Sequence, residues 1–301
     1  MRRGPARGVT PRGPRGHRRR RWQGGEMEQT RTQSIVVGDT ALAVEHRPGP
    51  GPLVVFLHAG VVDRRCWDAA LPEGVATLTY DRRGFGDTPL RGHDFTHLGD
   101  LFRVLDEVAT GPVVLVGNSM GGALALDAAL EAPERVAGLL LLASAASGAP
   151  EPEDDDLEPR TVELDAAIDA ALEAGDVDRA AELDAELWLD GPLAAPGRVG
   201  GAARELFLDM DRTVLRHRAF EHGEGEVEAW SRLGELDLPV VLATGELDAG
   251  FLRARTAQLL ERIPGAVRVE LPGSAHLPSL DHPEAVAGLV RDLVLRVAPQ
   301  R

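Results

Sequence analysis

Hydrophobic and polar positions along the chain fall into two rhythms. "PLVVFLHAG" (52–60) is a continuous apolar run closed by glycine, the pattern of a strand buried on both faces. "GVATLTYDRRGFGDT" gives a second such strand over 75–80, followed by a polar, glycine-rich loop. "VVLVGNSMGGALAL" predicts a strand at 113–116 that turns through glycines into a helix at 122–131, and "RVAGLLLLASAA" predicts another strand. Ahead of these, "QSIVVGDTALAVEHRPG" alternates and turns at Gly38-Asp39, which predicts a hairpin. Between the strands, Leu98, Leu101, Phe102, Leu105 and Val108 recur at helical spacing. Strands alternating with helices predict a mostly parallel α/β sheet.

The rhythm changes near Ser147. "SGAPEPEDDDLEPR" is acidic and proline-rich, and from about 161 to 233 the pattern is helical with no strand in it. Strand and helix then alternate again through "LPVVLATGELDAG", "FLRARTAQLLERI", "AVRVELPG" and "PEAVAGLVRDLVLRVA". The expected organisation is a leader at 1–33, a sheet domain formed by 34–147 and 234–301, and a helical cap at 148–233.

Charge changes this picture at one end. The 301 residues carry a formal net charge of −15, and every basic residue is arginine. Nine of those arginines fall in residues 1–26, opposed only by Glu26, so the body is strongly acidic. The leader lacks the apolar middle of a secretion signal, and its glycines and prolines oppose a targeting helix. It reads as disordered, with Met27 a credible alternative start. No apolar run approaches a membrane span. Cys66, the only cysteine, cannot form an internal disulfide, which fits a reducing, cytoplasmic setting. A small-molecule substrate is expected, with no nucleic acid or membrane partner.

The chemistry concentrates at Gly117-Asn118-Ser119-Met120-Gly121, a G-x-S-x-G between a strand and a helix. Such a corner exposes a serine hydroxyl above the sheet, and Met120 offers a backbone N–H at a helix N-terminus, where an oxyanion is stabilised. A serine needs a base, and the base needs a carboxylate to orient it. Asp248 follows one strand and His276 the next, at the sheet edge where open α/β folds assemble sites. The order Ser119, Asp248, His276 matches the order expected for this arrangement. Glu246 is the rival acid.

With these motifs, "FLHAG", "YDRRGFGDT", "GELD" and "GSAHLPSLDHPE", the chain from about 34 to 299 resembles the α/β-hydrolase superfamily, above all its small cofactor-free esterase, lactonase and haloperoxidase-like members. The resemblance implies an eight-stranded, mostly parallel sheet with helices on both faces and a helical lid inserted after the sixth strand. It implies ester or lactone cleavage through an acyl-enzyme, with no cofactor and no metal. The same triad also serves C–C bond hydrolysis, perhydrolysis or a lyase step, and the fold also hosts non-catalytic ligand receptors. Relatives carry His-Gly-x where this chain has His58-Ala59-Gly60-Val61, so the second oxyanion N–H falls to Gly60 or, with the loop shifted by one, to Val61. His58 is expected to shape that loop. Val61, Trp188, Phe207 and Leu277 are the expected substrate-pocket residues, and Leu189, Met210 and Phe220 join the underside of the cap. Cys66 and Trp67 should pack beneath the site loop. Asp81, Arg82 and Arg83 should hold their own loop together, and Asp63, Arg64 and Arg65 read as a solvated turn. Asp154, Asp155 and Asp156 read as a solvated acidic run.

Overall fold

The structure is a computed structural model that describes residues 31–92, 94–152, 157–223, 225 and 227–298. Residues 1–30 and the acidic run Asp154–Asp156 lie outside them. β1 (Arg31–Val37) opens ahead of the expected residue 34 and pairs antiparallel with β2 (Thr40–Arg47), with Val37 opposite Thr40 across Gly38-Asp39. The remaining strands are β3 (Val54–Leu57), β4 (Thr77–Tyr80), β5 (Val113–Asn118), β6 (Val136–Leu142), β7 (Val240–Gly245) and β8 (Val267–Leu271). They form one eight-stranded sheet in the order β1-β2-β4-β3-β5-β6-β7-β8, parallel from β4 onward.

The central strands are unbroken apolar runs because both faces are covered. One face buries Val55, Leu57, Leu115 and Leu141 against α1 (His97–Val108), α2 (Met120–Glu131) and α7 (Gly250–Arg262). The first of these helices is amphipathic and starts where Thr96 accepts the Gly99 N–H at 3.0 Å. The second is apolar around most of its circumference, since other elements enclose it beside the sheet. The opposite face buries Phe56, Val116, Leu142 and Ala243 against α9 (Pro283–Val297) and the 3₁₀ turn Arg64–Trp67. Cys66 and Trp67 are buried there, with Trp67 5.2 Å from the Phe56 ring.

Between β6 and β7 the chain forms α3 (Pro159–Glu173), α4 (Val177–Asp184), a π-helical turn (Ala185–Asp190), α5 (Gly201–His217) and the short α6 (Ala229–Arg232). Leu164, Leu187, Leu189, Phe207 and Met210 continue the apolar layer of the α9 face, so this helical segment has no separate core. The short α8 (Pro278–Asp281) completes the helices. Among the described residues, no helix is long and apolar enough to cross a membrane.

Two acids sit inside the helical segment. Asp184 and Asp211 are almost wholly buried, and they lie against one another. Burial lifts Asp184 from the ordinary 3.8 to about 7, with Asp165 on α3 adding to the effect. Burial and the Asp184 charge lift Asp211 as well, against the opposing pull of Arg212. The folded chain therefore holds a proton that the unfolded chain releases above 3.8, so this pair stabilises most at low pH, and its contribution declines as pH rises toward about 7. Asp211→Asn removes one titrating carboxyl and offers an amide N–H to Asp184 in its place. Urea denaturation at pH 5 and pH 8 should show the variant gaining on the native chain by roughly 1–3 kcal/mol at the higher pH.

Candidate active site

The elbow at Ser119 follows from how close three backbones come. A Cβ at Gly117 would lie 2.3 Å from the Gly121 carbonyl oxygen, and one at Gly121 would lie 2.0 Å from that of Leu57. Only hydrogen fits at either position. Between them Ser119 takes φ 53° and ψ −117°, a conformation costly for a residue with a side chain. The surroundings hold it there. Its N–H donates to the Leu142 carbonyl at 3.0 Å, and its carbonyl accepts from Gly122, Ala123 and Ala145 at 2.9, 3.1 and 3.2 Å. Met120 opens α2, where the first amides have no intrahelical acceptor.

Asp248 lies beyond β7 and His276 beyond β8, and both are essentially excluded from solvent. The His276 Nδ1 stands 3.2 Å from the Asp248 Oδ2, while the Asp248 Oδ1 accepts the Ala249 N–H at 2.8 Å. A carboxylate facing Nδ1 selects the tautomer protonated there and leaves the Nε2 lone pair free. Glu246 is exposed and accepts the Gly273 N–H at 2.9 Å, so it supports the loop rather than the imidazole. Asn118 ties this loop to the elbow: its amide donates to the Leu142 carbonyl at 3.0 Å and to the His276 carbonyl at 3.1 Å. In the sequence, Asn118 stood as the variable position of G-x-S-x-G, with nothing to mark this role.

The segment after β3 meets the elbow as well. A Cβ at Gly60 would fall 2.6 Å from the Met120 sulfur, so the residues proposed to share the oxyanion hole are in contact. His58 is fully buried, and burial together with the Arg82 charge pushes its pKa well down. Its Nδ1–H donates to the Ala59 carbonyl at 2.8 Å, and its Nε2 accepts the Arg82 N–H at 3.2 Å. The Arg82 side chain donates to the carbonyls of His58 and Ala59, both at 3.0 Å, and stacks on Phe85 with 4.6 Å to the ring centre. Burial lowers its pKa to about 10, which leaves it charged at neutral pH.

The turn at Asp63, Arg64 and Arg65 is not solvated, contrary to its sequence pattern. Asp63 is fully buried and caps the 3₁₀ turn by accepting the Arg65 N–H at 3.0 Å. Arg64 is largely buried and pairs with Asp81 through its guanidinium and, at 2.9 Å, through its backbone N–H. Neighbouring β3 and β4 bring the two charged loops together at Arg64, which pairs with Asp81 and Asp87, while Asp63 pairs with Arg65 within its own loop. Arg83 likewise grips Asp100 at 2.7 and 2.9 Å.

A cavity of about 360 Å³ opens behind Met120, lined among others by Arg82, His97, Asp127, Ala145 and Glu228. Val61, Trp188, Phe207 and Leu277 do not line it; they belong to the apolar layer shared by sheet and helical segment. Of these, Trp188 reaches the site most directly, with its ring 4.9 Å from that of His276. Among the described residues, no cluster of His, Cys, Asp or Glu has the arrangement of a metal site.

Residues 54–289 match the family described as the alpha/beta hydrolase family, and the chain belongs to it. It is 29% identical over 255 residues to the pimeloyl-[acyl-carrier protein] methyl ester esterase of Aeromonas salmonicida, spanning 82% of this chain and 97% of that protein. It is 30% identical over 255 residues to the enzyme of the same name from Aromatoleum aromaticum, spanning 81% and 98%. The crystal structure of an esterase from Exiguobacterium antarcticum superposes with a TM-score of 0.70 at 20% identity, covering 88% of this chain and all of that one.

The strain at Ser119 can be measured apart from any activity. Glycine adopts positive φ without penalty, whereas alanine keeps the Cβ. Ser119→Gly should therefore be more stable than Ser119→Ala by about 1–3 kcal/mol in urea denaturation. Equal stabilities would show that the corner carries no strain.

Proposed function

We propose that the chain is a serine hydrolase that cleaves a small to medium carboxylic ester or lactone through an acyl-enzyme. The observation that carries this reading is the buried Asp248–His276 contact, tied through Asn118 to the turn that holds Ser119 at positive φ. The methyl ester esterase relatives favour an ester over a C–C bond or a peracid.

In this reading the Ser119 hydroxyl passes its proton to the Nε2 of His276 as its oxygen attacks the carbonyl carbon. Asp248 fixes the Nδ1–H tautomer and stabilises the imidazolium that forms. The Met120 N–H and that of Gly60 (or Val61) receive the developing oxyanion, each such donor worth roughly 3–4 kcal/mol in the transition state. His276 returns the proton to the departing alcohol. It then takes one from water, which attacks the acyl group and frees Ser119. The helical segment acts as a lid, with Trp188 forming part of the wall over the imidazole. No cofactor takes part. We place the enzyme in the cytoplasm, a reducing setting in keeping with a single buried cysteine.

A fluorophosphonate probe should label the native chain at Ser119, and Ser119→Ala should neither label nor turn over p-nitrophenyl esters while keeping its fold. Asp248→Asn should lower kcat by a factor on the order of 10⁴, the loss seen when a triad carboxylate is replaced by its amide. Undiminished ester hydrolysis by Ser119→Ala would refute the assignment.

A further inference from the structure

The stretch between α4 and α5 touches both loops that carry Asp248 and His276. Its π-helical turn, a form concentrated at functional sites, carries Trp188, whose indole N–H donates to Asp184 at 2.9 Å while its ring packs on His276. The turn ends at Gly191, φ 90°, where a Cβ would stand 2.3 Å from the Leu247 carbonyl oxygen and 3.0 Å from the Ala275 Cβ. One residue of the helical segment is thus wedged between the neighbour of Asp248 and the neighbour of His276.

Beyond it, the chain folds back on a buried carboxylate. Asp190 accepts the N–H groups of Gly197 and Val199 at 2.7 and 2.9 Å and the Arg204 guanidinium at 2.9 Å. This fold-back presents Arg198. Its Nε donates to the Asp190 carbonyl and its Nη2 to the Leu189 carbonyl, both at 2.7 Å. The same guanidinium reaches across to the other loop, with Nη1 donating to the Gly273 carbonyl at 2.8 Å and Nη2 to the Asp281 carboxylate at 2.7 Å. The Asp281 side chain is in turn buried, accepting the Ala275 N–H at 2.9 Å and the Ser274 hydroxyl at 2.7 Å just ahead of His276 in the chain.

We propose that Arg198 is a positioning residue for His276: it clamps the lid's π-turn to the Gly273–Asp281 loop and so sets the imidazole against Asp248. This rests on the reading of His276 as the base. The guanidinium suits the task because its planar fork spans acceptors on two separate segments, whereas a lysine ammonium offers its donors from one point. Lid and base then form one unit. A displacement of the lid at 189–198 drags the His276 loop with it, so the imidazole reaches its working position only when the lid is seated. A peripheral ion pair would instead leave catalysis alone.

The test compares the full-length native chain with Arg198→Met and Arg198→Lys. The measurements are kcat and KM on p-nitrophenyl acetate, the rate of fluorophosphonate labelling, and the low-field proton resonance of the His276 Nδ1–H. In Arg198→Met, kcat should fall about 10- to 100-fold with KM within about threefold, the cost of a base misplaced by an ångström or less. Labelling should slow in parallel, and the resonance should broaden or vanish. Arg198→Lys should recover only a minor part of the loss. Wild-type kcat, labelling and resonance in a folded Arg198→Met would overturn the clamp, whether or not its melting temperature fell. If Arg198→Met does not fold, Arg198→Lys decides: native kcat and resonance overturn the proposal, and a kcat loss at unchanged KM supports it. The resonance reports the His276–Asp248 contact even in a chain that hydrolyses nothing, so failure of the hydrolase reading is seen separately, as native protein that neither labels nor turns over.

Discussion

The structure depends on one close approach: the Gly121 backbone against the Leu57 carbonyl, too tight for any side chain. β3 and β5 are neighbours in the sheet, and α2 must leave the end of β5 without colliding with the end of β3. A sharp turn is the only exit, and Ser119 occupies its apex at positive φ. The same contact brings the loop after β3 against the start of α2, which is why Gly60 lies on Met120. The strained serine and both proposed oxyanion donors are thus consequences of one packing constraint. Hydrogen bonds from Ser119 to β6 and the loop after it resist relaxation of the strain.

Much of this was legible in the sequence because it is local. Apolar runs marked β3, β5, β6 and β7, the Gly38-Asp39 turn marked the β1–β2 hairpin, and the glycines of G-x-S-x-G encode the elbow within five residues. Asp248 and His276 could be chosen because each follows a recognisable strand. What was not legible is pairing across sequence distance. Asp63-Arg64-Arg65 reads as solvated when its charges are taken alone, and it is buried because β3 and β4 bring Asp81 alongside Arg64. Asn118 hid in a variable motif position although its amide joins the elbow to the His276 carbonyl. Arg198 and Asp281 are 83 residues apart, and although Asp281 stands within "GSAHLPSLDHPE", nothing in that stretch points to Arg198. Periodicity reports which face of an element is apolar; it does not report which polar groups meet once the elements are assembled.

The buried polar groups divide into two kinds with different physics. Around the loop after β3, Arg82 donates to two carbonyls and stacks on an aromatic face, and it keeps its charge because its intrinsic pKa stands far above neutrality. In the helical segment, Asp184 and Asp211 meet no comparable cation, so they retain a proton instead. The first arrangement fixes a positive charge beside the elbow. The second keeps the interior of the helical segment close to neutral and holds Trp188 through Asp184.

The second arrangement reaches the His276 imidazole through Trp188. Trp188 covers one side of His276, Asn118 and Asp281 hold its loop, and Asp248 faces its Nδ1 from a site closed to water. Electrostatic attraction strengthens as the surrounding dielectric falls, so shielding the Asp248–His276 contact increases what the carboxylate contributes when the imidazole becomes charged. Much of that shielding comes from the helical segment, whose apolar layer is continuous with the sheet core. In the proposed mechanism the segment inserted between β6 and β7 would therefore do more than cover a cleft: by helping to exclude water from the Asp248–His276 contact, it would strengthen what that contact contributes.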